Sequence, residues 1–147
     1  MPYSTQATVQ IAIGGLKKLV EATDQENLTG AVVVAVLDQA INEADAIINS
    51  YLRKQWSVPL NPVPDVIANL SASWAARNLR RNLFNGLKQP EDADQEAVDR
   101  EWLTAVAKGE ISVDVTVAPT KAPDRIDSAQ PRDSTMKISS ARLRFYG

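Results

Sequence analysis

A helix-patterned run that ends in a proline corner constrains this chain more than any other feature. Val33, Leu37, Ile41, Ala44, Ile48 and Leu52 recur at spacings of three or four, which places them on one face of a helix. The run Ala40-Ile41-Asn42-Glu43-Ala44-Asp45-Ala46-Ile47-Ile48-Asn49-Ser50-Tyr51-Leu52 then meets Trp56-Ser57-Val58-Pro59-Leu60-Asn61-Pro62-Val63-Pro64. Pro59 has no amide proton to continue a helix, and each proline biases the residue before it toward extended backbone, here Val58, Asn61 and Val63. Pro64 stands just ahead of Asp65, a favourable N-cap for the next helix. The pattern predicts a long helix, a stiff corner and a second long helix.

The flanking segments read in the same way. Ser4 can cap a first helix carrying Val9, Ile13, Leu16 and Val20 on one stripe. Gly14-Gly15 interrupts that stripe, and two mid-helix glycines cost about 1 kcal/mol each relative to alanine, so two short helices with a bend are expected. Thr23 to Gly30 reads as a polar turn, and the next helix spans about Ala31 to Lys54 although Val32-Val33-Val34 is locally strand-prone. The following helix spans about Asp65 to Phe84, with Val66, Ile67, Leu70 and Trp74 on one face. Its second face carries Ala72, Ala75, Ala76, Leu79 and Leu83, small enough in part to let a neighbour approach closely. Asn85-Gly86 stops it. Lys88 to Asp94 reads as a charged loop. A last helix spans about Asp94 to Lys108, with Val98, Trp102 and Val106 at spacing four and Gly109 as its cap. Ile111 to Val117 alternates with period two and is predicted as a strand. Residues 118–135 hold Pro119, Pro123 and Pro131 among charges, the composition of an extended or disordered linker. Met136 to Phe145 is a weaker, arginine-rich strand candidate. The expected fold class is mainly α. A bundle of about four helices fills residues 1–110, and a short strand, a linker and an extended C-terminal arm fill 111–147.

Composition narrows the chemistry. The chain has no cysteine and no histidine. That removes disulfides, thiolate nucleophiles, the commonest general base and every Ser-His-Asp or Cys-His arrangement. Paired carboxylates or lysine remain as catalytic routes, so the expectation is a non-enzyme without cofactor or metal. Met1-Pro2-Tyr3-Ser4 lacks the basic and apolar regions of a signal peptide, and no run approaches the roughly 18 apolar residues of a membrane span.

Charge is unevenly spread along the chain. Residues 86–117 carry three basic and eight acidic side chains, a net of −5, whereas residues 118–147 carry six basic and three acidic, a net of +3. An acidic block followed by a basic tail suggests docking of one on another copy of the other. One good strand and one weak one do not make a stable sheet, so they either pair with each other or add to a neighbouring chain.

Four candidate sites follow. Asp24-Gln25-Glu26-Asn27-Leu28-Thr29-Gly30 faintly resembles a calcium loop, but Leu28 stands where an oxygen ligand is needed and Gly30 is one place late. A turn capped by Thr23 and Glu26 is the plainer reading. Arg77, Arg80 and Arg81 lie together on one helix and suit either phosphate contact in a small DNA-binding regulator or a salt-bridged face near the acids of 91–101. Asp92, Asp94, Glu96, Asp99 and Glu101 suit a carboxylate pair or metal ligands, or a solvated face with helix N-terminal charges. Trp56, Trp74 and Trp102 read as core or interface anchors.

The run from Ala40 to Pro64 resembles the head–tail connector (neck adaptor) family of Mu-like tailed bacteriophages. The resemblance extends to Met1-Pro2-Tyr3-Ser4-Thr5-Gln6, to the Gly-Gly break, and to Trp102-Leu103-Thr104-Ala105-Val106-Ala107-Lys108-Gly109-Glu110-Ile111-Ser112, which is similar to the family's last helix and its glycine exit. It covers residues 1–112 well and the tail weakly. The resemblance implies a structural protein of the virion neck, made in the host cytoplasm. It further implies a homo-oligomeric, twelvefold ring seated on the portal protein, with a stopper or tail-side neck protein below, through which DNA passes without specific binding. Within the C-terminal arm, Ile138, Arg142, Leu143, Arg144, Phe145 and Tyr146 are the candidate assembly contacts.

Overall fold

Glycine and proline punctuate residues 1–113, the part of the chain described by the computed structural model, into five helices. They are α1 (Gln6–Ile13), α2 (Leu16–Thr23), α3 (Val34–Leu52), α4 (Asp65–Leu83) and α5 (Pro90–Lys108). The expected break at Gly14-Gly15 is present. Gly14 has φ +105° and Gly15 φ +121°. Their amides bond back to Ile11 and Gln10 carbonyls at 3.2 and 2.8 Å, the paired closure that lets a helix end on a left-handed residue. Gly109, with φ +81°, closes α5 in the same manner.

Several boundaries differ from expectation for local reasons. Ser4 does not cap α1. Thr5 does, in a reciprocal pair with Thr8: each hydroxyl accepts from the other residue's backbone amide, at 3.4 and 2.9 Å. Residues 31–33 stay outside α3. Val33 is extended, in keeping with its β-branched side chain, and its amide donates to Thr23 Oγ1 at 3.1 Å. Asp65 is the first residue of α4 rather than its cap, a position where a carboxylate still favours the helix dipole. The charged loop expected up to Asp94 is shorter, because α5 starts at Pro90. Proline suits the first helical position, and Glu91 and Asp92 fill the first turn.

The long helix α4 is the hub, packed against α1, α2, α3 and α5. Its small face behaves as expected: Ala72, Ala75, Ala76 and Leu79 are buried, along with Ile67 and Trp74. From α3 the stripe Leu37, Ile41, Ala44, Ile48 and Leu52 enters the same core, joined by Leu60 from the proline corner and by Leu103 and Val106 from α5. The corner holds two cis peptide bonds, before Pro59 and Pro62.

Three stripe assignments change. Val98 is 57 % exposed and Leu16 is 52 % exposed. The Gly-Gly bend shifts the phase of α2, which buries Leu19 and Ala22 instead of Leu16. On α5 the carboxylates Glu96 and Asp99 face the bundle, which turns Val98 outward. Val66, at the start of α4, is also exposed. Finally, residues 111–113 of the predicted strand are not strand, and its remainder lies outside the described residues, as do the linker and the arm with Ile138, Arg142, Leu143, Arg144, Phe145 and Tyr146.

Candidate functional site

The start of the chain is fastened to the bundle by a buried polar network. Asp45, on the core side of α3, accepts the Tyr3 amide on Oδ2 at 2.8 Å and the Ser71 hydroxyl on Oδ1 at 2.6 Å. Ser71 thereby spends its only proton on the carboxylate, so Ser4 is the donor in the 2.9 Å Ser4–Ser71 contact. The Tyr3 hydroxyl donates to Asn49 and accepts the Leu60 amide at 2.9 Å. One tyrosine thus joins the chain start, α3 and the corner, while Ser4 reaches α4. Burial pushes the Asp45 carboxyl above its usual range, against the lowering effect of the Ser71 and Tyr3 hydrogen bonds. It likewise raises the Tyr3 phenol, with the Leu60 amide opposing and the Asp45 charge adding to the rise. Ser71 is fully buried, so this serine–carboxylate pair has no access to a substrate and works as a fastening. Sequence reasoning missed it, although a lone acid between Ile41 and Ile48 on an apolar stripe was the available signal.

A second polar layer binds α4 to α5. Arg77 pairs with Asp99, Arg80 with Asp92 at 2.6 Å and Lys88 with Glu96 at 2.9 Å. Arg80 makes a two-point contact, Nε and Nη2 each donating to one Asp92 oxygen. That hydrogen bonding, ahead of the opposing effect of burial, holds the Asp92 carboxyl below its usual range. Arg77 is buried, and its Nε has no acceptor among the described residues. The Arg77 and Arg100 guanidinium carbons stand 5.5 and 5.2 Å from the Trp74 ring centroid, within cation–π range.

These pairs decide between the sequence readings. Arg77 and Arg80 face carboxylates of α5, and Arg81 donates to Asn78 on its own helix at 2.7 Å. Arg77 and Arg80 therefore belong to a salt-bridged face, whereas Arg81 is held by a neutral amide and has no ion pair among the described residues. Of the five acids, Asp92, Glu96 and Asp99 are in these pairs; Asp94 and Glu101 are solvent-exposed. Asp24 fills its own loop. Its carboxylate accepts the Leu28, Thr29 and Gly30 amides at 3.0, 2.9 and 2.8 Å. Burial would raise its pKa, but those amides and the Thr29 hydroxyl together hold it below the usual range. The turn is capped by Asp24 and not by Thr23 with Glu26; the Thr23 hydroxyl instead donates to the Leu19 carbonyl. No group of three or more acids among the described residues is placed to hold a metal ion. Trp74 is a core anchor at 1 % exposure, whereas Trp56 and Trp102 are half-buried.

Two surface grooves flank α4. The larger, about 360 Å³, lies between α3 and α4 and has a polar lining that includes Gln39, Glu43, Asn78, Arg81 and Asn82. The other, about 270 Å³, lies between α4 and α5, with Val66, Leu70 and Trp102 beside Ser73, Gln95 and Asp99. No helix among the described residues is long and apolar enough to cross a membrane.

A protein-family model described as "Bacteriophage Mu, Gp36" matches residues 3–129. No curated protein matches the chain.

Proposed function

The chain belongs to the bacteriophage Mu Gp36 family, and from that premise we propose that it is a structural protein of the virion, a head-to-tail connector. In this reading copies of the chain form a ring on the portal protein, twelvefold like the portal, and join it to the tail-side neck proteins. The observation that carries the proposal is the extent of the family match, from Tyr3 through the whole five-helix unit and beyond it. The physical character of the domain supports it. Polar chemistry is turned inward to fasten helices: buried Ser71 serves a carboxylate, and Arg77 and Arg80 on α4 are paired. A conduit for DNA benefits from that economy of free positive charge, since tight backbone binding would hold the genome in transit.

The test is the native mass of the purified full-length protein, alone and with the portal protein. A ring that forms on the portal is the expected result. A protein that stays monomeric and leaves the portal unbound would refute the connector role. Nanomolar, sequence-dependent affinity for duplex DNA at physiological salt would refute it in favour of a regulator reading α4 into a groove.

A further inference from the structure

We propose that the groove between α4 and α5 receives the C-terminal segment Ile138 to Tyr146 of a neighbouring copy of this chain. The proposal rests on the oligomeric reading above and specifies the contact that links one subunit to the next.

The receiving surface has an apolar strip in an acidic setting. Val66, Leu70 and Trp102 line the groove, and Val98 lies one helical turn before Trp102 on the same side of α5. Val66 and Val98 are large apolar side chains at the ends of otherwise buried patterns, yet both stand exposed. Around them, Asp65 precedes Val66, Glu91 and Asp94 lie one turn before Gln95 and Val98, and Glu101 adjoins Trp102. All four of these carboxylates are exposed and hold no ion pair among the described residues. Arg77 also lines the groove, but it is committed to Asp99, as Arg80 is to Asp92, so neither neutralises these four.

The proposed occupant has the matching composition. In Ala141-Arg142-Leu143-Arg144-Phe145-Tyr146, arginines alternate with large apolar residues. Leu143 and Phe145 suit an apolar strip, and Arg142 and Arg144 suit flanking carboxylates. The tail from residue 118 has a net charge of +3, opposed by −5 over residues 86–117. The 24 residues 114–137 separate Val113 from Ile138, a contour of up to about 90 Å. The α3–α4 groove is larger but its amide and mixed-charge lining matches this segment poorly.

The cysteine-free sequence makes a direct test possible. Full-length Val98→Cys protein is mixed with full-length, size-tagged Leu143→Cys protein, and formation of the mixed disulfide is followed under air oxidation. Leu28→Cys, at a site 78 % exposed in the α2–α3 loop, replaces Val98→Cys as the control. The expected result is a mixed disulfide at least about tenfold faster with Val98→Cys than with the control. Adding Arg142→Glu and Arg144→Glu to the Leu143→Cys chain is expected to bring the rate down to the control. Equal rates at the two sites overturn the proposal. So does a chain carrying both Val98→Cys and Leu143→Cys that closes on itself while the mixture gives no mixed disulfide. Native mass separates the two readings: a ring without the Val98–Leu143 link rejects this groove and keeps the connector, and the link without a ring does the reverse.

Discussion

Replacing Trp74 with alanine tests whether the α4 hub is organised as described. The side chain is 1 % exposed, and it shares the core with Ile67 and Ala75 on its own helix, Ile41 and Ile48 on α3, and Leu103 on α5. Deleting a buried tryptophan to alanine costs about 3–5 kcal/mol through lost transfer energy and the cavity left behind. Two guanidinium groups add to that. Arg77 and Arg100 lose a ring at 5.5 and 5.2 Å, each contact being worth about 0.5–1 kcal/mol. Arg77 is hit hardest, since it is buried with an Nε already lacking an acceptor. The sum, about 4–7 kcal/mol as an upper figure, is a large share of the roughly 5–15 kcal/mol typical of a domain. Urea unfolding followed by circular dichroism measures it as a fall in midpoint at unchanged slope. Trp74→Phe, which keeps most of the apolar volume, should recover more than half of the loss. A Trp74→Ala shift worth under about 1 kcal/mol would show that the tryptophan does not anchor this core.

Two further outcomes follow from backbone and charge. Gly15 has φ +121°, and a Cβ placed there meets no atom within 4 Å. Gly15→Ala should therefore cost about 1–3 kcal/mol from backbone strain alone, since φ +121° with ψ 169° is a region essentially restricted to glycine, and an unchanged unfolding midpoint would refute a fixed α1–α2 bend. Carboxyl titrations by nuclear magnetic resonance should place Asp92 and Asp24 below the usual range and Asp45 above it. For Asp92 the native state binds its proton less tightly than the unfolded chain. Its contribution is thus complete above the unfolded value of about 3.9, and is lost as pH falls through the lower folded value. With Arg80 30 % exposed, that contribution is no more than about 1 kcal/mol. Asp45 has the opposite sign: its ionisation costs stability as pH rises from the unfolded value through the higher folded one. Finding Asp45 as the most acidic of the three would contradict the buried network.

The long elements were legible in the sequence because apolar periodicity and backbone punctuation agree there. The stripe from Leu37 to Leu52 and the alanine face of α4 are buried as their spacing predicts. The Gly-Gly break falls where two adjacent glycines cost a helix most. The failures have a common cause. Val98 and Leu16 match a helical period, but period alone does not fix which way a short or charged helix is rotated. On α5 the rotation goes with the cations that face it, since Asp99 and Glu96 lie inward with Arg77 of α4 and Lys88 of the loop after it. The arginine cluster was visible as a cluster, and its salt-bridged alternative was visible too; the choice depended on bringing residues 77 and 80 beside 99 and 92, which only the fold does. The Asp45 network was the least legible part. Its partners come from residues 3, 4, 49, 60 and 71, and each is an ordinary polar residue until the corner folds α4 back on α3.

That network bears on why the first residues matter in such a small protein. Tyr3 and Ser4 are buried, and their partners lie on α3, α4 and the proline corner. The chain start is thus a strap across α3 and α4, and an apolar replacement for Asp45 would leave the Tyr3 amide and the Ser71 hydroxyl without their acceptor. Unpaired buried donors cost about 1–3 kcal/mol each, so retaining a carboxylate whose burial is itself unfavourable is the lesser cost. The result is a domain whose polar investment goes into holding five helices in one arrangement. A subunit that must present the same surfaces around a ring gains from such fixed geometry. On the proposed reading, exposed Val66 and Val98 beside the α4–α5 groove are the places at which a neighbouring chain would be read.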